Sequence, residues 1–323
     1  MKQKLHALLE IVRVFLTPSA VADSFAGYHL AHVITHSSNA SLRPCTGPDM
    51  LQLCGALACS VLLYWLGMTT NDLFDLKRDR RSNPGRPLPS GRVTRTEVTA
   101  LCVVLAVGAT SIAVALDVWP VALGVLACIL LYDCGGKRIF AVGSALMGAC
   151  RAGNFLLGAA AACATTLSLG EPRLMTGAAL LALYITGVTA ISVLEDHEFD
   201  RKRLIRVAAP LLGLPIVLVA MRYDSPLNWA NATALTVLLL NAIRTACRAG
   251  ESTRADDARA PPHGAAIFVR TALGGIFLLD AGFLIALTPE KASLVSETIT
   301  LYALFALAWI WKHRWIRAGA MGS

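Results

Sequence analysis

VTALCVVLAVGATSIAVAL, Val98 to Leu116, is a run of 19 residues without a charged side chain. About 20 such residues, coiled as an α-helix, cross a hydrocarbon core of roughly 30 Å. Comparable runs near 15–37, 50–70, 97–117, 119–133, 139–163, 174–194, 207–221, 231–247, 265–287 and 295–311 predict ten candidate spans. The fourth and seventh are short, so the expectation is an all-α, polytopic transmembrane bundle of nine or ten helices. The composition agrees: 55% of the 323 residues are hydrophobic and 15% charged, with a mean hydropathy of +0.59, against about 25% charged in soluble domains. These values exclude a disordered chain, a collagen-like fibre and an ordinary cytosolic enzyme. Ala20-Val21-Ala22 mimics a signal-peptide cleavage site, yet Glu10 and Arg13 interrupt the apolar stretch before it. Residues 1–323 read as one integral-membrane domain, with the polar stretch Arg248 to Gly264 as a flexible connection between helices.

The net charge of +8 invites a nucleic-acid reading, but the arginines are dispersed and no aromatic-basic module accompanies them. With the N-terminus inside, 23 of the 29 lysines and arginines fall on the cytoplasmic side. Only Arg43, Arg173, Arg222 and Lys291 fall outside, and Arg151 and Arg270 lie within spans. The positive-inside rule therefore predicts a cytoplasmic N-terminus. The nine cysteines form no CxxC pair and sit mostly in apolar runs, so neither a disulfide framework nor a zinc site is expected.

After the second span comes Asn71-Asp72-Leu73-Phe74-Asp75-Leu76-Lys77-Arg78-Asp79. On a helix Asp72, Asp75 and Asp79 occupy i, i+3 and i+7, one face, with Asn71 beside them. Two readings are open: a solvated loop balanced by Lys77, Arg78, Arg80 and Arg81, or a site for a hard divalent cation such as Mg²⁺, commonly shared with substrate phosphates. After the sixth span comes Glu195-Asp196-His197-Glu198-Phe199-Asp200, in which Asp196 and Asp200 are i and i+4. Both clusters follow even-numbered spans and so share one membrane side, which favours a polyanion held through bridging metals; inorganic diphosphate is the obvious one.

Asn71-Asp72-x-x-Asp75-x-x-x-Asp79 followed by Arg86-Pro87-Leu88-Pro89-Ser90-Gly91-Arg92 resembles the first signature of the UbiA superfamily of intramembrane prenyltransferases. The segment Met147 to Gly158 and the second acidic cluster follow in the expected order. Leu278-Leu279-Asp280-Ala281, Ala22-Asp23 with Ala26-Gly27-Tyr28, and the wording of Arg151 to Gly158 lean toward the EboC-like branch. Two departures stand out. Val193 occupies the position of the first aspartate of the usual second motif, and Tyr132 and Lys137 are five apart where the superfamily has YxxxK. Lys137 either reaches a phosphate or pairs with Asp133 at i, i+4.

The resemblance implies Mg²⁺-dependent transfer of a prenyl group from its diphosphate to an aromatic or other small acceptor, within membrane lipid and without nucleic acid. It implies Asn71, Asp72, Asp75, Asp79, Asp196 and Asp200 as metal ligands; the acceptor's proton goes to a nearby carboxylate or water, with Glu195 the candidate base. Asn71, Arg86, Arg92, Tyr132, Lys137, Arg151 and Asn154 are the expected diphosphate contacts. Arg151 and Asn154, one turn apart inside a span, face either the site or a structural partner, because an intramembrane charge is costly. Asp23 and Asp280 belong to such a pair or to an acceptor pocket. Phe74, Phe155, Tyr184 and Phe199 are aromatic candidates for stabilising an allylic cation. A UbiA-type terpene cyclase, a non-catalytic homologue and a transporter are the alternatives.

Overall fold

The computed structural model describes residues 2–38, 49–163, 170–192, 200–256, 263–288 and 296–307. Among the described residues every regular element is a helix. The longer ones are α1 (Lys2–Ile11), α2 (Thr17–Ser38), α3 (Met50–Phe74), α4 (Leu76–Ser82), α5 (Arg95–Ala115), α6 (Trp119–Cys134), α7 (Phe140–Cys163), α8 (Pro172–Ser192), α9 (Arg201–Ala208), α10 (Gly213–Met221), α11 (Pro226–Asp256), α12 (His263–Ala272) and α13 (Gly275–Ala286). A further apolar helix, α14, covers Ser296–Leu307.

Seven helical stretches are long and apolar enough to cross a membrane, and an eighth joins them if α1 and α2, bent by 46° at their junction, count as one span. Each of the ten runs read from the sequence coincides with a helix, but α6 and α14 are shorter than the seven. The 16 residues of α6 reach only about 24 Å at 1.5 Å per residue. The run near 207–221 starts earlier, at Arg201, and changes helical form around Pro210 before α10 resumes. One expectation is corrected. The polar stretch from Arg248 begins as helix, because α11 continues to Asp256 instead of ending at the last apolar residue. Arg248, Ala249, Glu251, Arg254 and Ala255 are good helix formers, so propensity carries the helix past the apolar run.

Two apolar cores share α2 and α7. One gathers Leu53, Cys59 and Leu63 of α3 with Ala109 and Ala113 of α5, Val125 of α6 and Leu157 of α7. The other joins α2 and α7 to α8 and the later helices around Phe155, Leu181, Phe268 and Phe283. The α2–α7 crossing is close enough to need glycine. A Cβ on Gly27 would lie 1.9 Å from the Phe155 carbonyl oxygen, and one on Gly158 would lie 1.8 Å from that of Ser24. Small residues let helix backbones approach in this way where water supplies no driving force. Outward, Val103, Val104, Val107 and Val114 of α5 are exposed, a surface that suits hydrocarbon.

Thr94 and Glu97 form a capping box at the start of α5, and the Asp49 carboxylate accepts from two backbone N–H groups at the start of α3. Such caps satisfy otherwise orphaned donors at helix N-termini. The C-termini of α3 and α6, the α1–α2 junction and the α6–α7 turn come together at one end of the bundle, where the candidate site lies.

Candidate active site

Asp72 lies in the last turn of α3, Asp75 caps its C-terminus and Asp79 lies in α4. The Asp75 N–H donates to the Asn71 carbonyl (2.9 Å) and the Asp79 N–H to the Asp75 carbonyl (2.8 Å), carrying the helical register across the junction. The three carboxylates thus stay on one face, and all three are buried. Four carboxylates including Asp133 meet four cations here. Lys137 Nζ is 2.9 Å from Asp75 Oδ1 and 3.2 Å from Asp133 Oδ1, so the single lysine serves both partners. Thr70 Oγ1 donates to Asp133 Oδ2 at 2.7 Å. Arg86 Nη1 is 2.6 Å from Asp79 Oδ2 and 3.8 Å from Asp72 Oδ1. Arg78 Nη2 is 3.3 Å from Asp75 Oδ2, and Arg13 Nη2 is 3.4 Å from Asp72 Oδ1.

Arg13 has a left-handed backbone, φ 49° and ψ 51°, which costs a non-glycine residue about 1–2 kcal/mol. That conformation breaks α1 from α2, and the side chain it releases reaches Asp72 and the Met68 sulfur. Sequence reasoning used Arg13 as an inside charge and as an interruption of the first apolar stretch, with no place in the site. Its one sequence signal is a lone cation interrupting an apolar run just before Pro18.

A cavity opens from this end and runs between α3, α6 and α7. Asn71, Tyr132 and Asp133 border it near the aspartates, Tyr64, Gly67, Ile129 and Met147 form its middle, and Ser60, Ala20, Arg151 and Asn154 line the deep wall. The Tyr132 ring carries Lys137 Nζ at 5.9 Å from its centroid. Tyr64, which sequence reasoning did not single out, presents a buried hydroxyl with no hydrogen-bond partner.

The remaining expected residues divide. Arg92 is occupied away from the aspartates: it pairs with Glu10 at 2.8 Å and donates to the Gly85 carbonyl at 2.7 Å, tying the Pro-rich loop to α1. Arg151 pairs with Asp23 (Nε to Oδ2, 2.9 Å) and donates to the Ser19 carbonyl. Asn154 donates to the Ala20 carbonyl at 2.7 Å. Both therefore sit at the deep wall, bound to α2, away from the aspartate cluster. Asp200 is the exposed N-cap of α9, accepting from the Lys202 N–H. Glu195, Asp196 and Phe199 lie outside the described residues. Phe155 and Tyr184 are fully buried in the core, Phe155 edge-on to Phe283 and Tyr184 donating to the Ala272 carbonyl, and Phe74 is exposed. The aromatic faces that line the cavity are those of Tyr64 and Tyr132.

Among the described residues no three His, Cys, Asp or Glu side chains form a ready metal cage. The donors of the first cluster are nevertheless all oxygen, and Asp79 Oδ1 is buried without a hydrogen-bond partner. Hard donors of this kind suit Mg²⁺, which commonly takes one or two carboxylates and completes its shell with water and substrate phosphate. The residues fit such an ion brought in with a diphosphate.

Comparison with known proteins agrees with this geometry. The UbiA prenyltransferase family matches residues 33–251. The digeranylgeranylglyceryl phosphate synthase of Halobacterium salinarum is 32% identical over 221 residues, covering 66% of this chain and 69% of that protein. Two solved structures share the fold. A UbiA homolog from Aeropyrum pernix K1 has a TM-score of 0.62 at 18% identity, covering 83% of this chain and 97% of its own. One from Archaeoglobus fulgidus, bound to GPP and Mg²⁺, has a TM-score of 0.55 at 13% identity, covering 84% and 99%. With a buried aspartate cluster at the mouth of an intramembrane cavity and a family match over two thirds of its length, the chain belongs to the UbiA prenyltransferase family.

Proposed function

We propose that this chain transfers a prenyl group from a prenyl diphosphate to a small acceptor inside the membrane, with Mg²⁺ as cofactor. The observation that carries this reading is one cavity bordered by Asn71 and by Asp133, the partner of Lys137, beside buried Asp72 and Asp75, with an apolar middle lined by Leu63, Met68, Val125, Ile129 and Met147. A prenyl diphosphate has the same division, a charged head on a hydrocarbon tail. The Archaeoglobus homolog bound to GPP and Mg²⁺ supports this donor and this ion, and the Halobacterium digeranylgeranylglyceryl phosphate synthase supports prenyl transfer as the reaction.

Asn71, Asp72, Asp75 and Asp79 would hold the ion on the first cluster, and Asp196 and Asp200 would hold one on the second. Bound Mg²⁺ supplies neutralisation of the charge growing on the leaving diphosphate. Lys137 and Arg86 pair with Asp75, Asp133, Asp72 and Asp79, and with an ion held by those carboxylates both side chains would be free to donate to the phosphate oxygens. Charge-assisted donors fixed in advance favour the state in which the anion forms. The bond from the allylic carbon to the diphosphate oxygen breaks with its electron pair leaving on oxygen. Tyr132 and Tyr64 offer ring faces to the cation left behind. The acceptor's electron pair then forms the new bond to carbon, and Glu195 takes the acceptor's proton.

The test is product analysis. Purified protein incubated with a prenyl diphosphate, Mg²⁺ and a panel of phenolic, glycerol and glyceryl phosphate acceptors is expected to yield a prenylated conjugate by mass spectrometry. A cyclised hydrocarbon without conjugate would assign the terpene-cyclase reading instead. An unchanged donor would contradict both.

A further inference from the structure

We infer that the deep wall of the cavity is the acceptor site and that it recognises an uncharged oxygen group, a hydroxyl or carbonyl, in preference to a phosphate. This rests on the prenyl-transfer reading. Arg151 stands 11 residues into α7, about 16 Å along the helix from its start at the mouth end. One edge of its guanidinium is turned to α2: Nη2 donates to Asp23 Oδ1 at 3.0 Å and to the Ser19 carbonyl, and Nε lies 2.9 Å from Asp23 Oδ2 as an ion pair without a hydrogen bond. Among the described residues Nη1 makes no hydrogen bond, while Arg151 lines the cavity. The Tyr64 hydroxyl lines the same cavity, buried and unpartnered.

An unpaired hydroxyl inside a membrane protein is costly, as is an intramembrane arginine. Both costs fall if one ligand oxygen accepts from Tyr64 and from Arg151 Nη1 together. The chemistry of that oxygen follows from the charge behind it. Asp23 and Asp280 are both fully buried, Asp280 lies beside Asp23, and neither Asp280 oxygen has a hydrogen-bond partner. Two acidic side chains thus back a single arginine. The wall presents donors without a net positive charge, which is the wrong complement for a phosphate and the right one for a neutral oxygen. Asp23 acts as a positioning residue: it fixes the arginine's plane and cancels its charge.

The experiment uses the full chain in lipid nanodiscs with a prenyl diphosphate and Mg²⁺. Three acceptors are compared: a monoalkyl glycerol ether, the same ether carrying a terminal phosphate, and a simple phenol. Tyr64→Phe keeps the ring and the fold, and is expected to raise the KM of the uncharged acceptors about five- to tenfold, the loss of one hydrogen bond. The donor KM should stay within twofold. Arg151→Lys should follow the same split, and Asp23→Asn, by unmasking the arginine, should shift preference toward the phosphorylated ether. A merely structural role for Asp23 would leave acceptor preference unmoved. The inference is overturned if Tyr64→Phe raises the donor KM and leaves the acceptor KM unchanged, or if the wild type accepts only the phosphorylated ether. Failure of the prenyl-transfer reading looks different: the wild type would then form no prenylated conjugate with any acceptor.

Discussion

At the mouth of the cavity each acid has a cation within 4 Å, and those cations come from four separate places in the chain: Arg13, Arg78, Arg86 and Lys137. In the proposed reaction these paired groups are the ones that exchange partners with an ion and a phosphate. Lys137→Met leaves Asp133 without its ion-pair partner and Asp75 with Arg78 alone, and removes the proposed phosphate donor. Steady-state kinetics should show at least a tenfold fall in kcat/KM for the donor, since hydrogen bonds to charged groups contribute about 1.5–3 kcal/mol. Arg13 gives a second prediction that separates backbone from side chain. Arg13→Gly relieves the left-handed strain, because glycine adopts that region freely, so the thermal midpoint should hold or rise while the donor KM increases. Arg13→Ala should raise the donor KM and also lower the midpoint.

The spacing of Asp72, Asp75 and Asp79 was legible in the sequence because one helical register holds all three. The roles of Arg13 and Tyr64 were not, since one depends on a left-handed residue and the other on a neighbour that fails to arrive. The pairing of Arg151 with Asp23 spans 128 residues, and no local spacing announces it.

At the level of elements, the α2–α7 crossing sets the position of the deep wall, because Ser19, Ala20 and Asp23 belong to α2 and Arg151 and Asn154 to α7. Gly158→Ala should force the backbones apart at Ser24 and cost about 1–3 kcal/mol, read as a lowered thermal midpoint. Gly124→Ala on α6 meets nothing within 4 Å. It should leave the midpoint unchanged or raise it slightly, since alanine is the better helix former by up to about 1 kcal/mol. Apolar runs marked where helices are, because hydrocarbon demands internally satisfied backbones. They did not mark where α11 ends, since a polar helix past the apolar run leaves no hydropathy signal. Nor did they mark the break near Pro210, which falls inside a run that reads as continuous.

The whole molecule combines an apolar outer surface with basic residues crowded at the end that carries the site. If the positive-inside rule governs insertion, that end faces the cytoplasm. In a cysteine-free background, Ser82→Cys at the exposed end of α4 should react with a membrane-impermeant maleimide only from the cytoplasmic face, and Tyr223→Cys, exposed between α10 and α11, only from the other. Labelling in the opposite sense would reverse the orientation and leave the fold intact. The central claim is that buried Asp75 and its neighbours bind the ion and diphosphate of a prenyl donor. Its most direct test is Mg²⁺-dependent release of inorganic diphosphate from a prenyl diphosphate, measured side by side for the wild type and Asp75→Asn, which removes one charge and little volume. The account predicts release by the wild type that EDTA abolishes, and at least a hundredfold less by Asp75→Asn. Equal rates for the two proteins, or release indifferent to EDTA, would contradict it.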